Sequence, residues 1–102
     1  MRTMNRKAQK ALADIRRCVA TGRWRVLAHF TRRMDERGLF WPDILSVLTS
    51  PAAVLDDGPD DFGRPKWKLA GRATDGLKLE IVCALDTDAA GRVTVFITVY
   101  WK

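Results

Sequence analysis

With 102 residues, 47% of them hydrophobic, the chain has the length of one domain and enough apolar material for its own core, which excludes long disorder. Its 18 Lys and Arg outnumber 12 Asp and Glu for a net charge of +6, a balance that favours acidic partners such as nucleic acid, anionic lipid or an acidic protein. No apolar run approaches the roughly 18 residues of a membrane span, and the basic stretch Met1–Arg17 has no signal-peptide apolar core, so a cytoplasmic protein without membrane association is expected.

The first segment reads as a helix. Met4, Ala8, Ala11, Leu12, Ile15 and Val19 recur at steps of three and four, which is one helical face, and Thr21-Gly22 supplies a stop. Val26 and Leu27 read as extended. A second helix is expected over Ala28 to Arg37, with Phe30 and Met34 on its apolar side and Gly38 at its end. A third, short helix follows, with Pro42 in its first turn and Asp43 at the positive end of its dipole. Ile44, Leu45, Val47 and Leu48 are its buried candidates, and Ser50-Pro51 closes it.

After Pro51 the period changes from helical to alternating. Ala53–Asp56 is a short strand candidate, and Asp57–Gly63 is a turn-rich loop. Arg64–Arg72 alternates, with Trp67 and Leu69 opposite Lys66, Lys68 and Arg72. Asp75-Gly76 is a hairpin signal. The next strand puts Leu77, Leu79, Ile81, Cys83 and Leu85 on one face. Asp86–Gly91 opens like a calcium loop but lacks the acceptor at its fifth position and the later glutamate, so a hairpin turn is expected. The last strand puts Val93, Val95, Ile97, Val99 and Trp101 on one face, and Thr94, Phe96, Thr98 and Tyr100 on the other.

Helices followed by an antiparallel meander give an α+β layout: two to three N-terminal helices on one face of a three- to four-stranded antiparallel sheet. The aliphatic odd-numbered strand face should meet the helices. Cys18 and Cys83 show no metal spacing, lie in or beside apolar stripes and read as buried free thiols.

Two constellations could carry chemistry. His29, Arg33 and Arg37 fall at i, i+4 and i+8, one slowly drifting helical stripe. An imidazole can move a proton near neutral pH, and guanidinium groups bind phosphate in a bidentate way, a pairing suited to phosphodiester chemistry. The plainer reading is a solvated face whose arginines pair with Asp35, Glu36 or Asp43. The stripe should be half-exposed and border the sheet. The second constellation is the basic strand face of Lys66, Lys68, Arg72 and Lys78, with Thr98 and Tyr100 on the final strand. Alternating lysines can track a phosphate backbone and a tyrosine can stack on a base or donate a proton, though such a face can equally be ordinary solvated surface. If the helices cover the other strand face, the two constellations can meet only at an edge or end of the sheet.

The run from His29 to Leu39 resembles the H-x-x-x-R-M-x-x-R-G-[IL] signature of a small bacterial family, domain-of-unknown-function family 4258. Downstream blocks are similar too: Ser50-Pro51, the strand start Gly63-Arg64-Pro65-Lys66-Trp67, Leu69-Ala70-Gly71, and Thr98-Val99-Tyr100. The resemblance covers Val26 to Tyr100. It fits a single domain over residues 1–102, with an N-terminal helix in 1–22 and a family-like core in 23–102. It implies a RelE-like, barnase-like fold and kinship with toxins of toxin–antitoxin pairs, whose partner is a small zinc-finger or helix-turn-helix antitoxin. In that class RNA cleavage needs no metal or other cofactor: the ribose 2′-OH attacks the adjacent phosphate and basic side chains stabilise the developing charge. By motif position, His29 would be the base or acid, Arg33 and Arg37 phosphate binders, and Lys66 and Tyr100 the strand-borne candidates; His29, Arg33, Arg37 and Tyr100 would then be catalytic, while Lys66, with Lys68, Arg72 and Thr98 of the basic strand face, would bind RNA. A non-catalytic basic module for nucleic acid or an acidic protein is the alternative, and a purely structural or immunity-type protein a third.

Overall fold

The structure, a computed structural model, describes residues 4–102. The start of the expected 1–22 helical unit, residues 1–3, lies outside the described residues. Helix α1 (Arg6–Ala20) begins at Asn5, whose side chain accepts from the Ala8 N–H at 2.8 Å, an N-cap that satisfies one orphan donor. It buries the expected stripe of Ala8, Ala11, Leu12 and Ile15, with Cys18 added. Strand β1 (Trp24–Val26) leads into α2 (Ala28–Arg37), and α3 (Trp41–Thr49) follows. Asp43 organises the start of α3. It accepts from the Phe40 N–H and from both the N–H and hydroxyl of Thr74, and these bonds hold its carboxyl below the usual range against the opposing effect of burial.

Four strands complete the chain: β2 (Ala53–Pro59), β3 (Pro65–Arg72), β4 (Lys78–Asp88) and β5 (Gly91–Trp101). The sheet order is β1-β5-β4-β3-β2. The α+β layout holds, with three helices, but the sheet has five strands and is mixed, because β1 pairs parallel to β5. An all-antiparallel sheet of three or four strands was the expectation. Three residues are too few to display an alternating pattern, so β1 was not recognisable as a partner of β5. All three helices feed one core on one side of the sheet, around Ile15, Phe30, Ile44, Leu69, Ile81 and Val99. At the contact of α3 with β3, Gly71 lies so close to Val47 that an added Cβ would stand 3.2 Å from Val47 Cγ1.

The expected faces of β5 are half wrong. Val82 pairs with Thr98 but Cys83 pairs with Phe96, so Ile97 is an extra residue in a β-bulge. The bulge inverts the parity of everything before it. Val99 faces the helices as expected, whereas Thr94 and Phe96 also turn to that side and Val93 and Val95 to the other. Two further expectations fail: Leu45 is exposed on α3, and Leu77 lies exposed in the turn before β4. Cys18 and Cys83 are buried free thiols, and burial pushes the Cys83 thiol up to about 12. Among the described residues no helix is long and apolar enough to cross a membrane.

Candidate functional site

The strand face turned away from the helices can be read in rows from the pairing register. In one row Arg25 lies beside Val95, Val95 beside Ala84, and Ala84 beside Lys66. In the next, Leu55 lies beside Lys68, Lys68 beside Val82, and Val82 beside Thr98. A third row joins Ala53, Ala70, Glu80 and Tyr100. Val82, Ala84 and Val95 therefore form a low apolar floor, with Arg25 on one flank and Lys66 and Lys68 on the other. Arg25 and Lys66 are three strand spacings apart, about 14 Å between backbones.

Carboxylates hold these cations in place. Asp57 takes Lys66 Nζ at 3.3 Å and Lys68 Nζ at 3.6 Å. Asp86 takes Arg25 at 2.9 Å and Arg64 at 3.4 Å, and its carboxyl is lowered, first by the Thr87 N–H and then by these guanidinium groups. Glu80 is buried, accepts from the Tyr100 hydroxyl and pairs with Lys102 at 3.3 Å. Burial first, and then Glu80, push the Tyr100 phenol up to about 12. Tyr100 is thus a protonated donor near neutral pH and no base.

The α2 stripe takes the predicted half-exposed position: His29, Arg33 and Arg37 are all partly buried, while Phe30 and Met34 enter the core. Glu36 bridges Arg33 at 2.8 Å and Arg37 at 3.7 Å, the pairing foreseen in the plainer reading. His29 Nδ1 lies 3.4 Å from Arg32 Nη2. α2 starts beside β5: the Leu27 N–H bonds to the Phe96 carbonyl at 3.1 Å, and the helix begins at the next residue. Among the described residues no hydrogen bond or ion pair joins His29, Arg33 or Arg37 to Lys66, Lys68, Thr98 or Tyr100.

The other site candidates divide. Lys66 and Lys68 share Asp57, and Thr98 stands across Val82 from Lys68. Arg72 lies at the far end of β3, donates to the Gly76 carbonyl at 2.7 Å and lines a separate cleft of about 410 Å³ with Lys78 and Trp101. Two cations of the face were missed by sequence reasoning as site residues. Arg25 lies on a strand too short to show alternation, and Arg64 was read only as part of a motif.

A family model described as Domain of unknown function (DUF4258) matches residues 26–101. The chain belongs to this family. No curated protein and no solved structure matches it. The DUF4258 match begins at the last residue of β1 and ends with β5, so it covers β2 to β5 and leaves α1, Trp24 and Arg25 outside. The fold sorts the resembling motif of α2 into two groups. Met34 and Leu39 are core residues, and Gly38 caps the helix in the left-handed conformation at φ 65°. His29, Arg33 and Arg37 stay outside the core, where Glu36 pairs with both arginines and His29 lies beside Arg32.

Proposed function

We propose that this DUF4258 domain is a toxin-like, metal-independent RNA endonuclease with a RelE-like fold, acting in the cytoplasm and held in check by a small antitoxin protein. The observation that carries the reading is a half-exposed histidine–arginine stripe on α2, on the helix side of the sheet, with a face of ordered cations on the other side and Arg25 of that face on the edge strand that leads into α2. Lys66, Lys68 and Arg25 would hold the RNA backbone, and Arg33 and Arg37 would contact the scissile phosphate from the helix side. His29 would accept the proton of the ribose 2′-OH as that oxygen bonds to phosphorus. The bond from phosphorus to the 5′-oxygen breaks, and the departing oxygen takes a proton. The products are a 2′,3′-cyclic phosphate and a 5′-hydroxyl end. Guanidinium and ammonium groups stabilise the extra charge on phosphorus. Tyr100 gives its one hydroxyl proton to Glu80, so the leaving oxygen takes its proton from water and the Tyr100 ring is left for a base to stack on.

The test is incubation of the pure protein with RNA in EDTA. Cleavage with cyclic phosphate ends is expected. It should be lost when the 2′-OH at the cut site is removed, and reduced at least a hundredfold by His29→Ala, the usual scale of general acid–base catalysis. RNA that stays intact at high protein excess, with harmless expression in cells, would sink the proposal. A second reading, a non-catalytic polyanion-binding module, is favoured by one observation: the cations of the face are engaged by Asp57 and Asp86, and Tyr100 by Glu80. That reading predicts salt-sensitive RNA binding without strand scission.

A further inference from the structure

The loop between β2 and β3 carries a phenylalanine that has no part in the core: Phe62 is 82% exposed. The loop beneath it is firmly built. The Asp60 carboxylate accepts from the Phe62 N–H and the Arg64 N–H, both at 2.9 Å, and from Arg64 Nε at 2.6 Å. The Asp60 N–H donates to the Arg64 carbonyl at 2.9 Å, and the Gly63 N–H donates to the Asp60 carbonyl at 3.0 Å. Gly63 has a φ of +78°, the left-handed conformation the turn requires. Nothing in this turn calls for an aromatic ring at position 62. The ring is nevertheless given a fixed setting, because the Arg64 guanidinium lies over it at 5.0 Å from its centroid. Arg64 also reaches Asp86 on the cationic strand face. From Arg64 the chain enters β3, whose next residues on that face are Lys66 and Lys68.

We infer that Phe62 is a stacking platform for an unpaired base of single-stranded RNA whose phosphates run along Lys66 and Lys68. The inference rests on the RNA reading above and narrows it to single strands. An exposed ring on a hydrogen-bonded turn loses little freedom when a base stacks on it. Arg64, itself held by Asp60 and Asp86, supports the ring where the backbone enters the face. Same-face residues on β3 repeat at about 6.6 Å, on the order of one nucleotide in an extended strand. A duplex offers no free base face and should gain nothing from Phe62.

Binding of three probes is measured with the wild type and with Phe62→Ala, Phe62→Tyr and Phe62→Trp: a short oligouridine, an RNA duplex of the same length, and inorganic polyphosphate. Phe62→Ala should weaken oligouridine binding roughly tenfold or more, the scale of one base–aromatic stack. Duplex and polyphosphate binding should stay unchanged, and tyrosine or tryptophan should restore oligouridine binding. Equal loss on all three probes, or no loss on oligouridine, overturns the platform while leaving RNA binding itself standing. A wild-type protein that binds no RNA overturns both.

Discussion

Thr94 is fully buried on the helix side of β5, and its Oγ1 has no hydrogen-bond partner among the described residues. The buried Asp43 is the contrast, because three donors converge on it. A buried hydroxyl without a partner loses its hydration and gains nothing in return. Valine has the same shape and also favours strands. Thr94→Val should therefore stabilise the domain by about 1 kcal/mol. Chemical denaturation should show a higher midpoint at an unchanged slope. A lower midpoint would mean that the hydroxyl contributes to the fold after all. Thr94 reaches this position only because Ile97 bulges; in an unbroken strand it would face the other side. Its burial was therefore hidden from a reading that counts odd and even positions.

At the scale of elements, what could be read from the sequence follows how strongly each segment is patterned. The end of α2 was legible, since Phe30, Met34 and Gly38 each answer one physical need. β3 was legible because Trp67 and Leu69 alternate with lysines. β5 was not, because Val93 to Trp101 carries apolar residues at both parities and a one-residue insertion leaves no trace in such a run. The contact between α3 and β3 gives a test at this scale. A methyl at Gly71 would stand 3.2 Å from Val47 Cγ1 and 3.3 Å from Val47 Cα, so both the side chain and the helix backbone must retreat. Overpacking costs about 1–3 kcal/mol, against a gain of up to about 1 kcal/mol from the stiffer unfolded chain. Gly71→Ala should destabilise the domain by about 1 kcal/mol. The double variant Gly71→Ala, Val47→Ala should lose less than the sum of the two single variants, as a double-mutant cycle by denaturation would show. Strict additivity would mean the two positions do not press on each other.

Across the whole molecule, the candidate site was legible as two lists of residues but not as one surface. Spacing placed His29, Arg33 and Arg37 on one half-exposed stripe, and alternation placed Lys66, Lys68 and Tyr100 on one strand face. What joins or divides them depends on β1 lying beside β5 and on which carboxylate reaches which cation, and neither has a local signature. Asp57 is the clearest case: it lies in a loop-like stretch of sequence, yet it holds both Lys66 and Lys68. A phosphate entering the face must displace this carboxylate or share the lysines with it. Half-exposed ion pairs of this kind contribute at most about 1 kcal/mol to stability, so Asp57→Asn should leave the fold nearly as stable. It should also free Lys66 and Lys68 and remove one negative charge from the path of a polyanion. RNA affinity should then rise about three- to tenfold at low salt, and the dependence of binding on salt should steepen as more counterions are released. Titration of the variant and the wild type over a range of salt concentrations measures both effects. Weaker binding by Asp57→Asn at every salt concentration would show that the carboxylate is needed to aim the lysines, and a face that requires its own counter-charge to bind cannot be a simple phosphate track.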